Sequence, residues 1–129
     1  VAEKLPLYIS KLAGLAPFKD ALTTIKTQNY TLASRIIDNK KVTDHHAIIP
    51  TDKSPNLNLL SAQEKDIYLM VIRRFLAAYF PECEKAQSEI IVQFGQHQLK
   101  ANGTIITKEG WRALYTEQHN NTKKILGKS

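Results

Sequence analysis

Residues 61–94 read SAQEKDIYLMVIRRFLAAYFPECEKAQSEIIVQF, and within this stretch the hydrophobic period changes. Ser61 followed three residues later by Glu64 is a capping-box pattern, in which the hydroxyl and the carboxylate each satisfy an orphan amide at a helix start. Behind it, Tyr68, Ile72, Phe75 and Tyr79 make one apolar face, and Leu69, Leu76 and Phe80 make another. The pattern predicts a helix running to Phe80, stopped by Pro81, with apolar side chains on two faces and therefore buried between other elements. After Pro81 the apolar residues alternate: Ile90, Val92 and Phe94 share one face of a strand. Gly95-Gln96 offers a two-residue turn, and Asn102-Gly103 offers another of the kind that type I′ hairpins favour. The expectation is a three-strand meander, 90–94, 97–101 and 104–107, with Gly110-Trp111 leading out of it. Trp111 can stack a base, but capping the end of a small sheet is the commoner role for such a residue.

Upstream, Leu5, Tyr8, Ile9 and Leu12 recur at helical spacing up to Gly14. Pro17 opens a second helix carrying Phe18, Leu22 and Ile25. Thr31 to Ile37 is expected to form a third, shorter helix. Residues 39–60 read as loop, broken by Pro50 and Pro55, with Ala47-Ile48-Ile49 as an apolar anchor. The fold class is α+β: an N-terminal helical part over 1–81, then a small antiparallel β segment over 82–115. From Thr116 to Ser129 the chain is polar and reads as a tail or linker.

The 129 residues carry 18 Lys+Arg against 12 Asp+Glu, a net charge of +6. Residues 1–60 hold +3, 61–94 hold −1 and 95–129 hold +4, so the positive charge lies outside the long helix. A basic chain of this size makes nucleic acid the first partner to consider. One cysteine rules out an internal disulfide framework and cannot supply a Cys-rich zinc site. Cys83, set between Glu82 and Glu84, is a poor nucleophile because adjacent carboxylates disfavour the thiolate. No apolar run approaches a membrane span, and the first residues lack the pattern of a signal peptide, so a cytoplasmic setting is expected. The chain starts at Val1, not Met, which suggests a segment of something longer.

The densest polar constellation is Lys40-Lys41-Val42-Thr43-Asp44-His45-His46-Ala47-Ile48-Ile49-Pro50-Thr51-Asp52-Lys53. Lysines supply charge, Thr hydroxyls and imidazole N–H groups donate, and Asp44 can orient a ring nitrogen, so such a loop can hold a phosphodiester. If the segment is extended, His45 and His46 point to opposite faces and only one reaches a given site. A metal reading is weak, because metal-binding His pairs need convergent spacing and further ligands, and His97 and His119 lie in unrelated contexts. Buried imidazoles bonded to carbonyls are the bland alternative. Arg73-Arg74 could clamp a phosphate, but neighbouring helical residues splay by about 100°.

The block Val42-Thr43-Asp44-His45-His46-Ala47-Ile48-Ile49-Pro50-Thr51 resembles the type IA DNA topoisomerase family, in its topoisomerase III branch. The resemblance extends over Leu60-Ser61, Glu64, Ile67-Tyr68 and Ile72 to Ala77. It continues through Phe94, Ala101-Asn102-Gly103, Gly110-Trp111 and Tyr115, covering about residues 30–115. The topoisomerase I branch has His-Glu-Ala-Ile-Arg-Pro in this place; here His46 replaces the Glu and Ile49 the Arg, and the family His falls on His45.

The resemblance implies an enzyme that cuts one DNA strand through a 5′-phosphotyrosine, passes another strand, and reseals. It places His45 as a catalytic residue beside the scissile phosphate; from the loop's own chemistry, Lys40, Lys41, Thr43, His45 and Thr51 are expected on the DNA, preferably single-stranded. It implies no metal site here, with Mg²⁺ held by another domain of the parent enzyme. The family nucleophile lies in a Tyr-Pro-x-Thr-Asp-type motif, whereas Tyr8, Tyr30, Tyr68, Tyr79 and Tyr115 are all followed by residues other than Pro. The expectation is an internal fragment without its nucleophile. It would comprise the rest of the cleavage domain to residue 81 and the start of the arch domain from 82, inactive alone and completed by the rest of the parent chain. The reading from a different class is a stand-alone basic nucleic-acid-binding module. A third, a metal-dependent phosphodiesterase built on His45-His46, would require tight divalent-cation binding.

Overall fold

A computed structural model describes residues 2–34, 36–38, 40, 41, 45 and 47–115. The chain divides into two compact units, Val1–Pro81 and Glu82–Ser129.

The first unit is helical. Helix α1 spans Leu5–Lys11, and Leu5, Ile9 and Leu12 line up at four- and three-residue spacing to bury one stripe. A 3₁₀ turn over Leu12–Gly14 ends it; a second over Ala16–Phe18, with Pro17 inside its first turn, leads into α2, Lys19–Thr27. Phe18, Leu22 and Ile25 are buried on one face of this run.

Helix α2 closes with a Schellman motif. The Tyr30 N–H donates to the Ile25 carbonyl at 2.9 Å and the Asn29 N–H to that of Lys26 at 3.2 Å, with Asn29 left-handed at φ 51°. Asn tolerates that conformation because its short polar side chain bonds locally. The motif turns the chain away, and the expected helix over Thr31–Ile37 does not form. The described residues there hold one turn, closed by the Ile36 N–H on the Ala33 carbonyl at 2.9 Å. A seven-residue stretch containing Thr, Ser and two β-branched Ile residues offsets the cost of helix nucleation poorly.

Helix α3 spans Ala62–Ala77 and starts as its sequence requires. The Ser61 N–H donates to Glu64 Oε2 at 2.8 Å, and the Glu64 N–H to Ser61 Oγ at 3.3 Å. The backbone N–H of Ser61, and then its hydroxyl, hold the Glu64 carboxyl below its ordinary pKa. Of the two expected faces, Ile72, Phe75 and Leu76 are buried, and Tyr68, Leu69, Tyr79 and Phe80 are half-buried. Ile67 and Met70, outside both faces, are each 60% exposed. The covering aromatics stand at the C-terminal end: the Arg73 guanidinium lies 5.6 Å over the Phe18 ring, and Tyr30 meets Phe80 edge-on at 5.4 Å. The helix also ends before Phe80. Tyr79 and Phe80 close tighter i→i−3 bonds to Leu76 and Ala77, because Pro81 biases its predecessor away from helical angles. Tyr79 packs edge-on against Phe75 at 5.5 Å. Its hydroxyl is buried without a hydrogen-bond partner among the described residues, and burial pushes its pKa up to about 12.

The second unit is a hairpin. Strand β1, Glu84–Phe94, pairs antiparallel with β2, His97–Lys108, around Gly95 (φ 59°) and Gln96. The expected third strand is absent among the described residues: Asn102-Gly103 lies inside β2, opposite Glu89 and Ser88. One long β2 keeps β1 paired along a continuous ladder, whereas turning at Asn102 would leave half of β1 unpaired. Cross-strand ion pairs join Lys100 to Glu89 and Lys108 to Glu84, each at 2.8 Å. A 3₁₀ turn over Gly110–Leu114 follows, with Trp111 edge-on to Tyr115 at 5.8 Å. The polar stretch 116–129 lies outside the described residues.

Two outcomes follow from this packing. Ser61→Ala is expected to cost the first unit about 1 kcal/mol, and Leu76→Ala about 2–5 kcal/mol, in urea denaturation followed by far-ultraviolet circular dichroism. Because the folded pKa of Tyr79 is raised above its ordinary value of 10.0, its contribution is whole below pH 10 and is lost as pH rises towards about 12. Tyr79→Phe should flatten the fall in stability across that window, as measured by the denaturation midpoint at successive pH values.

Candidate nucleic-acid interface

The loop after α2 places its charged groups on turns made by its own short side chains. Asp38 Oδ1 accepts the Lys40 N–H at 3.0 Å and the Asp38 carbonyl accepts the Lys41 N–H at 3.2 Å, an Asx-type turn that sets both lysines side by side. The Lys41 ammonium sits 3.7 Å from Asp38 Oδ2. At that distance and exposure the pair contributes little, and the cation stays available to an incoming anion. At the far end, Thr51 Oγ1 accepts the Lys53 N–H at 3.4 Å.

Lys40, Lys41, His45 and Thr51 are all exposed. Thr43 lies outside the described residues, with Asp44 and His46. Among the described residues no hydrogen bond or ion pair is seen joining His45 to Lys40, Lys41 or Thr51; what they share is exposure within one loop of the sequence. The apolar anchor is displaced from its expected position. Ile48 is 83% exposed, Ile49 is half-buried and Pro50 is buried, so the chain is held at 49–50 and presents Ile48 outward. Periodicity could not assign this, because a three-residue apolar run has no preferred face.

Of the two arginines, Arg73 lies over Phe18 and Arg74 is exposed, so they do not form one clamp. A groove of about 470 Å³ runs beside the loop's end, between Ser10, Lys11 and Leu15 on one side and Ser54-Pro55 on the other. The exposed Lys11 stands on its wall. The sequence carried only an indirect signal of it, the Lys11 side chain on the polar face of α1. Among the described residues no three of His, Cys, Asp and Glu stand together in a group that could hold a metal ion. Among the described residues, too, no helix is long and apolar enough to cross a membrane.

What the arrangement can do is hold a phosphodiester backbone: two adjacent ammonium groups, a hydroxyl, and an imidazole whose N–H can reach a phosphate oxygen. A family model described as DNA topoisomerase matches residues 7–128. The chain is 35% identical over 107 residues to DNA topoisomerase 3 of Staphylococcus saprophyticus and 36% over 108 residues to that of Staphylococcus haemolyticus. It is 31% identical over 112 residues to that of Bacillus subtilis. These matches cover 83–85% of this chain and 15% of each relative, so the chain spans about one-seventh of the length of those proteins.

If the lysine pair meets phosphates, the Lys40→Ala, Lys41→Ala double variant binds single-stranded oligonucleotides with a shallower salt dependence. The slope of log K against log salt should fall by about 1.4, at ~0.7 for each phosphate no longer neutralised. A fluorescence-anisotropy titration across salt concentrations measures it, and an unchanged slope would place the lysines off the DNA.

Proposed function

The chain belongs to the DNA topoisomerase family, in its topoisomerase 3 branch, and we propose that its helical unit forms part of a surface that grips one DNA strand next to the scissile phosphate. The enzyme it serves cuts that strand transiently. A tyrosine hydroxyl outside the five of this chain loses its proton and its oxygen bonds to phosphorus, while the bond from phosphorus to the 3′ oxygen breaks and that oxygen takes up a proton. The product is a 5′-phosphotyrosine, resealed by the reverse step after another strand has passed.

The observation that carries this reading is the exposed His45, set in a loop with Lys40, Lys41 and Thr51 facing solvent, inside a stretch matched by the family. In this role the His45 imidazole donates to a non-bridging phosphate oxygen and, as imidazolium, offsets the charge that builds up on it. Lys40, Lys41, Thr43 and Thr51 meet the flanking backbone, which fixes register without reading sequence.

The experiment compares two polypeptides. The 129-residue chain should bind single-stranded DNA weakly and form no covalent adduct with Mg²⁺ present, since none of its tyrosines stands in a Tyr-Pro motif. In a polypeptide of the relatives' length that carries this chain, His45→Ala should lower cleavage and resealing about 10²–10³-fold, the usual worth of one donor aimed at a developing oxyanion, with binding changed far less. Equal loss of binding and cleavage would reduce His45 to a structural residue. An adduct formed by the short chain would overturn the assignment of the nucleophile.

A further inference from the structure

The groove between α1 and Ser54-Pro55 is built unlike the loop that leads to it. Its volume of about 470 Å³ falls among clefts that take small ligands, about 300–1,000 Å³. Leu7, the buried Leu15 and the half-buried Pro55 give it apolar walls. The Ser10 hydroxyl donates to the Leu7 carbonyl at 2.7 Å, so its lone pairs are left to accept. The Ser54 hydroxyl and the Lys11 ammonium, both exposed, show no partner among the described residues. No Asp or Glu lines the groove. Gly14 leaves space in it: a Cβ there would meet nothing within 4 Å, and its backbone is not left-handed.

We infer that this groove seats one unpaired nucleotide of the strand held by the loop, its phosphate on Lys11 and its base against Leu7 and Pro55. The seat rests on the grip proposed for Lys40, Lys41 and Thr51, and adds to that grip a place for a base. Three observations select the occupant. A cation with no carboxylate beside it in the groove draws an anion. Apolar walls set among a hydroxyl acceptor and a hydroxyl that both donates and accepts match a flat ring with polar edges. Position supplies the third. Ser54 follows Thr51 by three residues, at most about 11 Å, and phosphates along a stacked strand lie about 3.4 Å apart. A strand held at Thr51 therefore reaches the groove within about three nucleotides. A base in a duplex keeps its edge on its partner and its faces on its neighbours, so only an unpaired strand can place one here.

Fluorescence anisotropy with single-stranded oligonucleotides tests the seat on the 129-residue chain. Gly14→Ala leaves the groove open and serves as the reference, whereas Gly14→Leu fills it without a change of charge. Gly14→Leu should bind roughly fivefold more weakly than Gly14→Ala, as when about 40 Å² of apolar contact is lost. The salt dependence of the two should be the same, and their difference should vanish on an oligonucleotide that lacks its bases. Lys11→Ala should lower the slope of log K against log salt by about 0.7, the share of one phosphate. Equal binding by Gly14→Leu and Gly14→Ala would overturn the seat, as would a difference that persists without bases. If the Lys40→Ala, Lys41→Ala double variant lowers the slope while the groove variants bind like the unsubstituted chain, the seat alone falls. If none of these variants changes binding, the grip falls with it. Should Gly14→Leu fail to fold, Ser54→Leu against Ser54→Ala makes the same comparison from the opposite wall.

Discussion

Ile72 and Leu76 have no exposed surface, and the first unit depends on that burial. They sit one turn apart on α3, and their desolvation fixes which half of a sixteen-residue helix belongs to the core. Burying a Leu or Ile side chain contributes roughly 1.5–3 kcal/mol, more than any capping bond in the molecule. The capping box at Ser61 therefore sets where α3 begins, but not what it packs against. Its N-terminal half, with Ile67 and Met70 outside, is helical by local chemistry and solvent-facing by position. Leu5, Ile9, Leu12 and Leu15 from the α1 region, Phe18 from the 3₁₀ turn before α2, and Leu22 and Ile25 from α2 complete the same core.

Between the Schellman close of α2 and the cap of α3 the chain has no regular element among the described residues beyond one short 3₁₀ turn at Leu57–Leu59. It is pinned at Pro50 and half-pinned at Ile49. The described polar groups of the site face outward, and the turns that hold Lys40, Lys41 and Lys53 are made by Asp38 and Thr51, side chains that bond only locally. A surface built this way suits the gripping of a flexible polyanion, where charge and hydroxyl density matter more than a rigid pocket.

The helix starts, the Pro81 boundary between helical and alternating periods, and the dense polar block at 40–53 were all legible in the residues. Two local readings failed for one shared reason. Thr31–Ile37 and Asn102-Gly103 each carry a signal that is real in isolation, but each lost to a neighbour with more bonds to make. The Schellman motif turns the chain at Asn29, and the continuous β1–β2 ladder outweighs a turn at Asn102. The Ile48 exposure and the groove beside Lys11 had no clear signal, since both depend on which residues distant in sequence lie alongside.

What the sequence by itself determined is therefore whatever is encoded within a few residues: caps, the change of period, charge, and the His45 block that carries the family resemblance. Capping bonds and side-chain alternation act over one turn or one strand pair, so their consequences can be read without knowing the fold. Only the tertiary structure decided which face of α3 is buried, that Arg73 lies over Phe18 while Arg74 faces solvent, and that α1 meets Ser54-Pro55 across a groove. Burial is a property of what stands opposite, and residues far apart in the chain supply it.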